Sequence, residues 1–185
     1  MLILASKSPR RKELLSLITT DFEIIPAAGE ENADPALSPD MFVQELAKQK
    51  ASEIAASHPD DIIIGSDTVV AINGEILGKP RDRNDALRML TLLSGTEHSV
   101  FTGVAVIRNG EIHSFTEETK VKFFPLTQKE IEDYTDSGEP FDKAGAYGIQ
   151  DKGALLVEGI DGDYYNVMGL PTGRLYRLMK KLEII

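Results

Sequence analysis

The residues best suited to chemistry begin with a basic cluster that directly follows the first apolar segment of the chain. Ser8 precedes Pro9, and this pair predicts a helix whose N-cap is Ser8 and whose first residue is the proline. The N-terminus of a helix offers unpaired N–H groups and a partial positive charge to an anion. Positive charges at this end of a helix are unfavourable, and three of them follow here, at Arg10, Arg11 and Lys12. We therefore expect an anionic ligand such as phosphate to compensate these charges. A solvated basic patch is the alternative interpretation.

Lys50 and Asp67 are the next candidates, because the pattern places each charged group beside a buried element. Lys50 falls on the apolar stripe of a helix predicted over residues 40–57, where it needs an anionic partner unless its stem reaches water from the edge of the stripe. Asp67 follows a buried strand predicted over 61–65, and reactive residues gather at the carboxyl ends of strands in α/β sheets. Asp67 could hold a metal ion or accept a proton from water; alternatively, it could form a turn.

Three further signals are weaker when each is taken alone. Glu30 and Glu31 are adjacent acids in a predicted loop and could supply oxygen ligands to Mg²⁺ or Mn²⁺, although most acidic pairs are merely solvated. Lys79 precedes Pro80, which restricts the backbone beside a lysine that could contact phosphate. The glycine-rich segment 142–150 could let the backbone approach a ligand closely, or it could be a tight structural loop.

The elements that would position these residues mix helices, parallel-type strands and hairpins, which predicts an α/β protein with a mixed sheet. Two Asn-Gly pairs predict hairpin turns. Helices are predicted at residues 10–18, 40–57, 82–93, 127–138 and from 172 onward. Strands are predicted at residues 2–5, 22–25, 61–65, 69–72, 76–77, 99–107 and 111–124, with further short strands and turns in 144–169.

The composition argues against several classes of protein. A chain of 185 residues suits one domain or a compact two-lobed unit, and the absence of cysteine excludes disulfides, thiolate zinc sites and cysteine nucleophiles. A net charge of −10 and an aromatic content of 6% argue against an extended basic or stacking surface for duplex nucleic acid or structured RNA. No apolar run approaches the length of a membrane span and no secretory signal is recognised, so we expect a soluble, cytoplasmic protein.

Six short segments occur in an order that is more specific than any of them alone. They are residues 5–11 (ASKSPRR), 65–69 (GSDTV), 78–80 (GKP), 93–95 (LSG), 142–150 (DKAGAYGIQ) and 169–171 (GLP). In this order they resemble the Maf family of nucleoside triphosphate pyrophosphatases over essentially the whole chain. The resemblance implies a single domain over residues 1–185: an elongated mixed β-sheet with flanking helices and two lobes around a cleft, as in the inosine triphosphate pyrophosphatases.

The resemblance also implies roles for individual residues. Asp67 would be the catalytic carboxylate, and Glu30, Glu31 and Asp67 would be the candidates for holding a divalent metal, Mg²⁺ or Mn²⁺. The substrate-binding residues would be Ser8, Arg10, Arg11, Lys50, Thr68, Lys79 and Gln150. Thr68 after the aspartate resembles the branch that acts on dTTP and UTP, whereas the branch that acts on 7-methyl-GTP tends to carry glutamine there.

The implied reaction is hydrolysis of dTTP or UTP, with modified pyrimidine nucleotides as further candidates, to the monophosphate and pyrophosphate. A metal-assisted water would attack the α-phosphorus, and the scattered cationic residues would compensate the charge of the triphosphate. The alternative is a nucleotide-binding regulator of cell division without significant turnover. The expected partner is a nucleoside triphosphate rather than nucleic acid or membrane, and the resemblance leaves open whether the chain forms a homodimer.

Overall fold

The computed structural model describes residues 1–185 and contains one seven-stranded β-sheet. The strands are β1 (Leu2–Leu4), β2 (Glu23–Ile24), β3 (Ile62–Ile72), β4 (Glu75–Leu77), β5 (Glu97–Arg108), β6 (Glu111–Phe123) and β7 (Val157–Asp161). Their order is β2-β1-β3-β5-β6-β7, and β4 pairs with β3 outside this path. β1 runs parallel to β2 and β3, whereas β4 is antiparallel to β3 and β7 to β6. The sheet is therefore mixed, as predicted.

Six α-helices flank the sheet, and the five predicted helices are all present. The helices are α1 (Pro9–Ser16), α2 (Pro39–Ser57), α3 (Arg83–Leu93), α4 (Gln128–Asp136), α5 (Tyr164–Met168) and α6 (Thr172–Lys181). The predicted start signals are confirmed at α1, where the Ser8 hydroxyl accepts the N–H of Arg11, and at α4, where Thr127 and Glu130 form a capping box. None of these helices has both the length and the apolar character needed to cross a lipid bilayer.

The expectation that a strand ends before Asp67 is wrong. β3 is one continuous strand of 11 residues, and Asp67 lies in its middle. The β-branched residues after Asp67 continue the extended backbone, and the first part of β3 pairs with β1 while its last part pairs with β4. The chain turns only at Asn73 and Gly74, whose φ angles of 51° and 79° suit the hairpin turn that an Asn-Gly pair favours.

The segment 144–169, predicted to mix short strands with turns, contains the turns but only one strand. It contains 3₁₀ turns at Ala144–Ala146 and Asp151–Leu155, followed by β7 and α5. Gly145 has a φ of 70°, and a Cβ there would lie 2.6 Å from Cγ2 of Val70. The missing side chain lets this part of the chain turn against β3 instead of forming a pleated strand.

The chain forms two compact units, each with its own apolar core. The first comprises Met1–Asp67, Thr102–Glu117 and Gly169–Ile185, and the second comprises Thr68–Phe101 and Glu118–Met168. In the first unit the core residues are Ile3, Ala5, Ala47, Ala51, Ile54, Ile63, Ala105 and Ile107. In the second unit they include Leu77, Leu90, Leu93, Phe123, Ile131 and Tyr147.

Within the first unit, α2 lies unusually close to the strands beneath it. A Cβ on Gly65 would lie 2.3 Å from the carbonyl oxygen of Ala47, and a Cβ on Gly103 would lie 2.3 Å from that of Val43. No side chain fits at either position, so the two glycines let the helix backbone rest directly on β3 and β5. This close packing carries the inner face of α2, which includes Lys50, against the middle of β3.

Candidate active site in the first unit

Lys50 lies between two carboxylates. Its Nζ is 2.6 Å from Oδ1 of Asp67 and 2.9 Å from Oε1 of Glu31. The lysine side chain is only 16% exposed. Burial of an ammonium group is unfavourable without a counter-charge, and the two carboxylates supply it. The prediction of an inward lysine with an anionic partner is confirmed, and the interpretation in which its stem reaches open water is wrong.

Asp67 is a buried carboxylate, with 8% of the residue exposed. Burial raises its pKa, and the positive charges of Lys50 and Arg11 lower it without cancelling that effect. The hydrogen bond from Lys50 fixes the orientation of one carboxylate oxygen. A carboxylate with a raised pKa and a fixed orientation is suited to accepting a proton from water or to binding a cation.

Arg11 is held in place by a backbone carbonyl from the other end of the chain. Its Nε donates to the carbonyl oxygen of Gly169 at 2.8 Å, and its Nη1 donates to Oγ of Ser6 at 3.3 Å. Ser66, the neighbour of Asp67 in β3, donates to the same Gly169 carbonyl at 3.3 Å. Burial lowers the pKa of Arg11 and the charge of Asp67 opposes that shift, but a guanidinium stays protonated at neutral pH. The structure therefore holds a charged guanidinium near Asp67.

The turn before α1 has the features predicted for an anion site. The Ser8 hydroxyl accepts the N–H of Arg11 at 3.4 Å, and the Ser8 N–H donates to Oγ of Ser6 at 3.2 Å. Arg10 lies at the same helix start and is partly buried. Arg11 itself belongs to the first turn of α1, so its charge lies at the positive end of the helix. Binding of phosphate by Ser8 and Arg10 stays a prediction.

Two of the three acidic residues predicted to hold a metal, Glu31 and Asp67, lie close together. Protein sites for Mg²⁺ commonly supply one or two carboxylates, while water and substrate phosphates complete the coordination. Glu31 and Asp67 match this description because both contact the same ammonium group. No group of three acidic or histidine side chains could hold a metal by itself. Glu31 forms an ion pair with Lys50 and Glu30 does not, and which of the two binds a metal stays a prediction.

The remaining predicted substrate residues, Thr68, Lys79 and Gln150, belong to the second unit. Lys79 is exposed after β4, and Gln150 is partly buried directly before the 3₁₀ turn at Asp151–Leu155. The N–H of Gly145 donates to the carbonyl of Gly78 at 3.0 Å, which joins the two glycine-containing motifs within this unit. The binding roles of Thr68, Lys79 and Gln150 stay predictions.

Comparison with known proteins identifies the family. The family model described as Maf-like protein matches residues 1–182. The chain belongs to the Maf family. Its relatives include the dTTP/UTP pyrophosphatase of Bacillus velezensis, which is 50% identical over 99% of this chain and 97% of that protein. The dTTP/UTP pyrophosphatase of Carboxydothermus hydrogenoformans is 53% identical over 96% of both chains.

The fold of this Maf chain is also seen in solved structures. A HAM1 protein from Coxiella burnetii superposes with a TM-score of 0.58 over 97% of this chain and 98% of that chain, at 13% identity. At this level of identity the likeness concerns the fold alone. The α/β fold class predicted from the sequence is thereby confirmed.

Three members of the Maf site were not singled out as individual residues in the sequence. Ser6 and Gly169 accept hydrogen bonds from Arg11, and Ser66 donates to the same Gly169 carbonyl. All three lie inside the recognised motifs at 5–11, 65–69 and 169–171, which is the signal that could have found them. The contacts of Gly169 could not be read from those motifs, because they reach Arg11 and Ser66 across 158 and 103 residues of the chain.

A histidine to which the sequence assigns no role supports another Maf motif, the segment 142–150. His98 is 3% exposed, and its Nε2 lies 2.7 Å from the hydroxyl of Tyr147. Its ring packs edge-on against Tyr147 and Phe123, and burial lowers its pKa to about 4. The neutral imidazole of His98 therefore packs against Tyr147 and helps to hold the segment that ends at Gln150.

Proposed function

We propose that this protein hydrolyses dTTP and UTP to the nucleoside monophosphate and pyrophosphate. The single observation that carries the proposal is the ion-paired group of Glu31, Lys50 and Asp67, found in a chain half identical to dTTP/UTP pyrophosphatases. Hydrolysis of a phosphoanhydride needs a group that accepts a proton from water and positive charges that stabilise the leaving group. The first unit supplies both kinds of group within contact distance.

The chain's own residues divide this work according to their charge and burial. Asp67 accepts a proton from the attacking water, and Lys50 keeps its carboxylate oriented until substrate is bound. Arg11 and the N-terminus of α1 offer positive charge and N–H donors to the phosphates. Asp67 and Glu31 would hold a divalent cation, Mg²⁺ or Mn²⁺, which would supply Lewis-acid chemistry.

Selection among nucleotides is assigned to the residues that match the dTTP/UTP branch. Arg10, Thr68 and Gln150 are proposed to distinguish the substrate, and Ser8 and Lys79 to contact its phosphates. Modified pyrimidine nucleotides belong to the same proposed substrate class. Because nucleoside triphosphates are kept inside cells, we place this reaction in the cytoplasm; a homodimer stays a prediction.

The proposal is tested by replacing the carboxylate that would accept the proton. Asp67→Asn keeps the shape of the side chain but removes its basicity, so kcat for dTTP should fall by about 10²-fold or more. Pyrophosphate release with Mg²⁺ or Mn²⁺ is the measurement. Asp60→Asn, at an exposed position before β3, is the matched control and should leave kcat unchanged. Turnover by Asp67→Asn close to that of the parent protein would refute the assignment.

The same assay separates the enzyme from the alternative of a regulator without turnover. The unaltered protein is incubated with dTTP, UTP, CTP, dATP and dGTP, and both binding and pyrophosphate are measured. Release of pyrophosphate from dTTP and UTP in preference to the purine nucleotides is the expected result. Tight nucleotide binding without release would overturn the proposed hydrolysis and favour the regulator.

A further inference from the structure

The position of Lys50 conflicts with a cation at the same pair of carboxylates. Its ammonium group contacts Oδ1 of Asp67 and Oε1 of Glu31 at 2.6 and 2.9 Å. Oxygen ligands of Mg²⁺ lie at about 2.0–2.1 Å from the ion. An ion that binds both of these oxygens would therefore have to lie very close to the ammonium group, and two cations at such a distance repel each other.

We infer that Lys50 acts as an internal cation that competes with the divalent metal for Glu31 and Asp67, and that it leaves them for the substrate's phosphates when the metal binds. This inference rests on the proposed function for the identity of its ligands. It assigns Lys50 a second state, in which the lysine and the metal hold different anions instead of sharing the same two carboxylates.

The surroundings of Lys50 allow such an exchange. The lysine has a flexible four-carbon stem, so its ammonium group can move by several ångströms while α2 stays in place. The Glu31 side chain is 54% exposed, whereas those of Lys50 and Asp67 are only 16% and 12% exposed. The cluster is therefore open on the side of Glu31, and a hydrated ion can reach it without disturbing the helix.

Competition of this kind links metal binding to nucleotide binding. Without nucleotide, a metal ion that binds Glu31 and Asp67 must break both of their ion pairs with Lys50, and no phosphate is present to take their place. When a triphosphate is present, the lysine gains new partners and the carboxylates become available. Each ligand should therefore raise the affinity of the other, as linkage requires. An enzyme built in this way keeps a weak metal site until its substrate arrives.

The test measures Mn²⁺ binding directly, from the electron paramagnetic resonance signal of free Mn²⁺ at pH 8 and without nucleotide. Lys50→Met removes the competing charge, so the dissociation constant for Mn²⁺ should decrease by about tenfold, within the range typical of coupled sites. Lys50→Arg keeps the charge and should bind Mn²⁺ as weakly as the parent protein. Lys48→Met removes a charge from the same helix outside the ion-paired group and is the matched control.

Lys50→Gln is measured in parallel and decides the question if the methionine variant does not fold, as judged by circular dichroism. A folded Lys50→Met or Lys50→Gln protein that binds Mn²⁺ no more tightly than the parent would overturn the inference. Because no turnover is measured, this failure is distinguishable from failure of the proposed function. A second readout adds a non-hydrolysable α,β-imido analogue of dTTP, which should strengthen Mn²⁺ binding in the parent and much less in Lys50→Met; equal strengthening in both would also overturn it.

Discussion

Lowering the pH from 7 to 5 should destabilise the protein by about 2 kcal/mol through His98 alone. The folded-state pKa of this buried histidine is about 4, below its ordinary value of 6.5. Between those two values the unfolded chain binds the proton and the folded protein does not, so stability falls as the pH decreases through this window. The full effect approaches about 3 kcal/mol near pH 4, where the folded protein begins to accept the proton as well.

The measurement is urea unfolding at pH 7 and pH 5, followed by circular dichroism, in the parent protein and in His98→Gln. Glutamine can still bond to the Tyr147 hydroxyl but does not titrate, so the loss of stability between the two pH values should be smaller by about 2 kcal/mol in this variant. His113→Gln is the control, because His113 is one-third exposed and its Nε2 lies 3.6 Å from the carboxylate of the surface residue Glu111. Equal losses in the parent and in His98→Gln would refute the reasoning, whatever their absolute stabilities.

The other predictions concern packing and helix ends. Gly65→Ala should lower the free energy of unfolding by about 3 kcal/mol, because the added Cβ would lie 2.3 Å from the carbonyl oxygen of Ala47; urea unfolding measures it. Gly173→Ala, within α6 and with open space around the new Cβ, should instead stabilise by about 0.5–1 kcal/mol in the same assay. Thr127→Ala removes the capping box with Glu130 and should cost about 1 kcal/mol; an unchanged midpoint would contradict that role of the cap.

Much of the local structure could be predicted because its signals lie within a few residues of one another. Ser8-Pro9 marks the start of α1, and Thr127 with Glu130 marks the start of α4. The apolar stripe of α2 indicates that Lys50 faces inward, because positions three and four residues apart share one face of a helix. The inference that Lys50 needs an anion followed from the same pattern, without knowledge of which anion it meets.

Strand boundaries around the site were harder to predict. Ser66 and Asp67 are common in turns, so the sequence indicated an end to the strand, whereas β3 continues through both residues. β3 pairs with β1 at residues 62–64 and with β4 at residues 70–72, and it lies next to the long strand β5 in the sheet. Local preference is weak evidence in such a case, because pairing between strands outweighs it.

The sequence by itself determined the family, the helices, the hairpin turns and the candidate residues, since each depends on short motifs and local periodicity. Only the tertiary structure decided that Lys50 joins Glu31 to Asp67 and that the Gly169 carbonyl anchors Arg11. These contacts connect residues far apart in the chain. They exist because two glycines let α2 rest on the sheet and because strand register sets which side chains meet, and neither can be read from a local pattern.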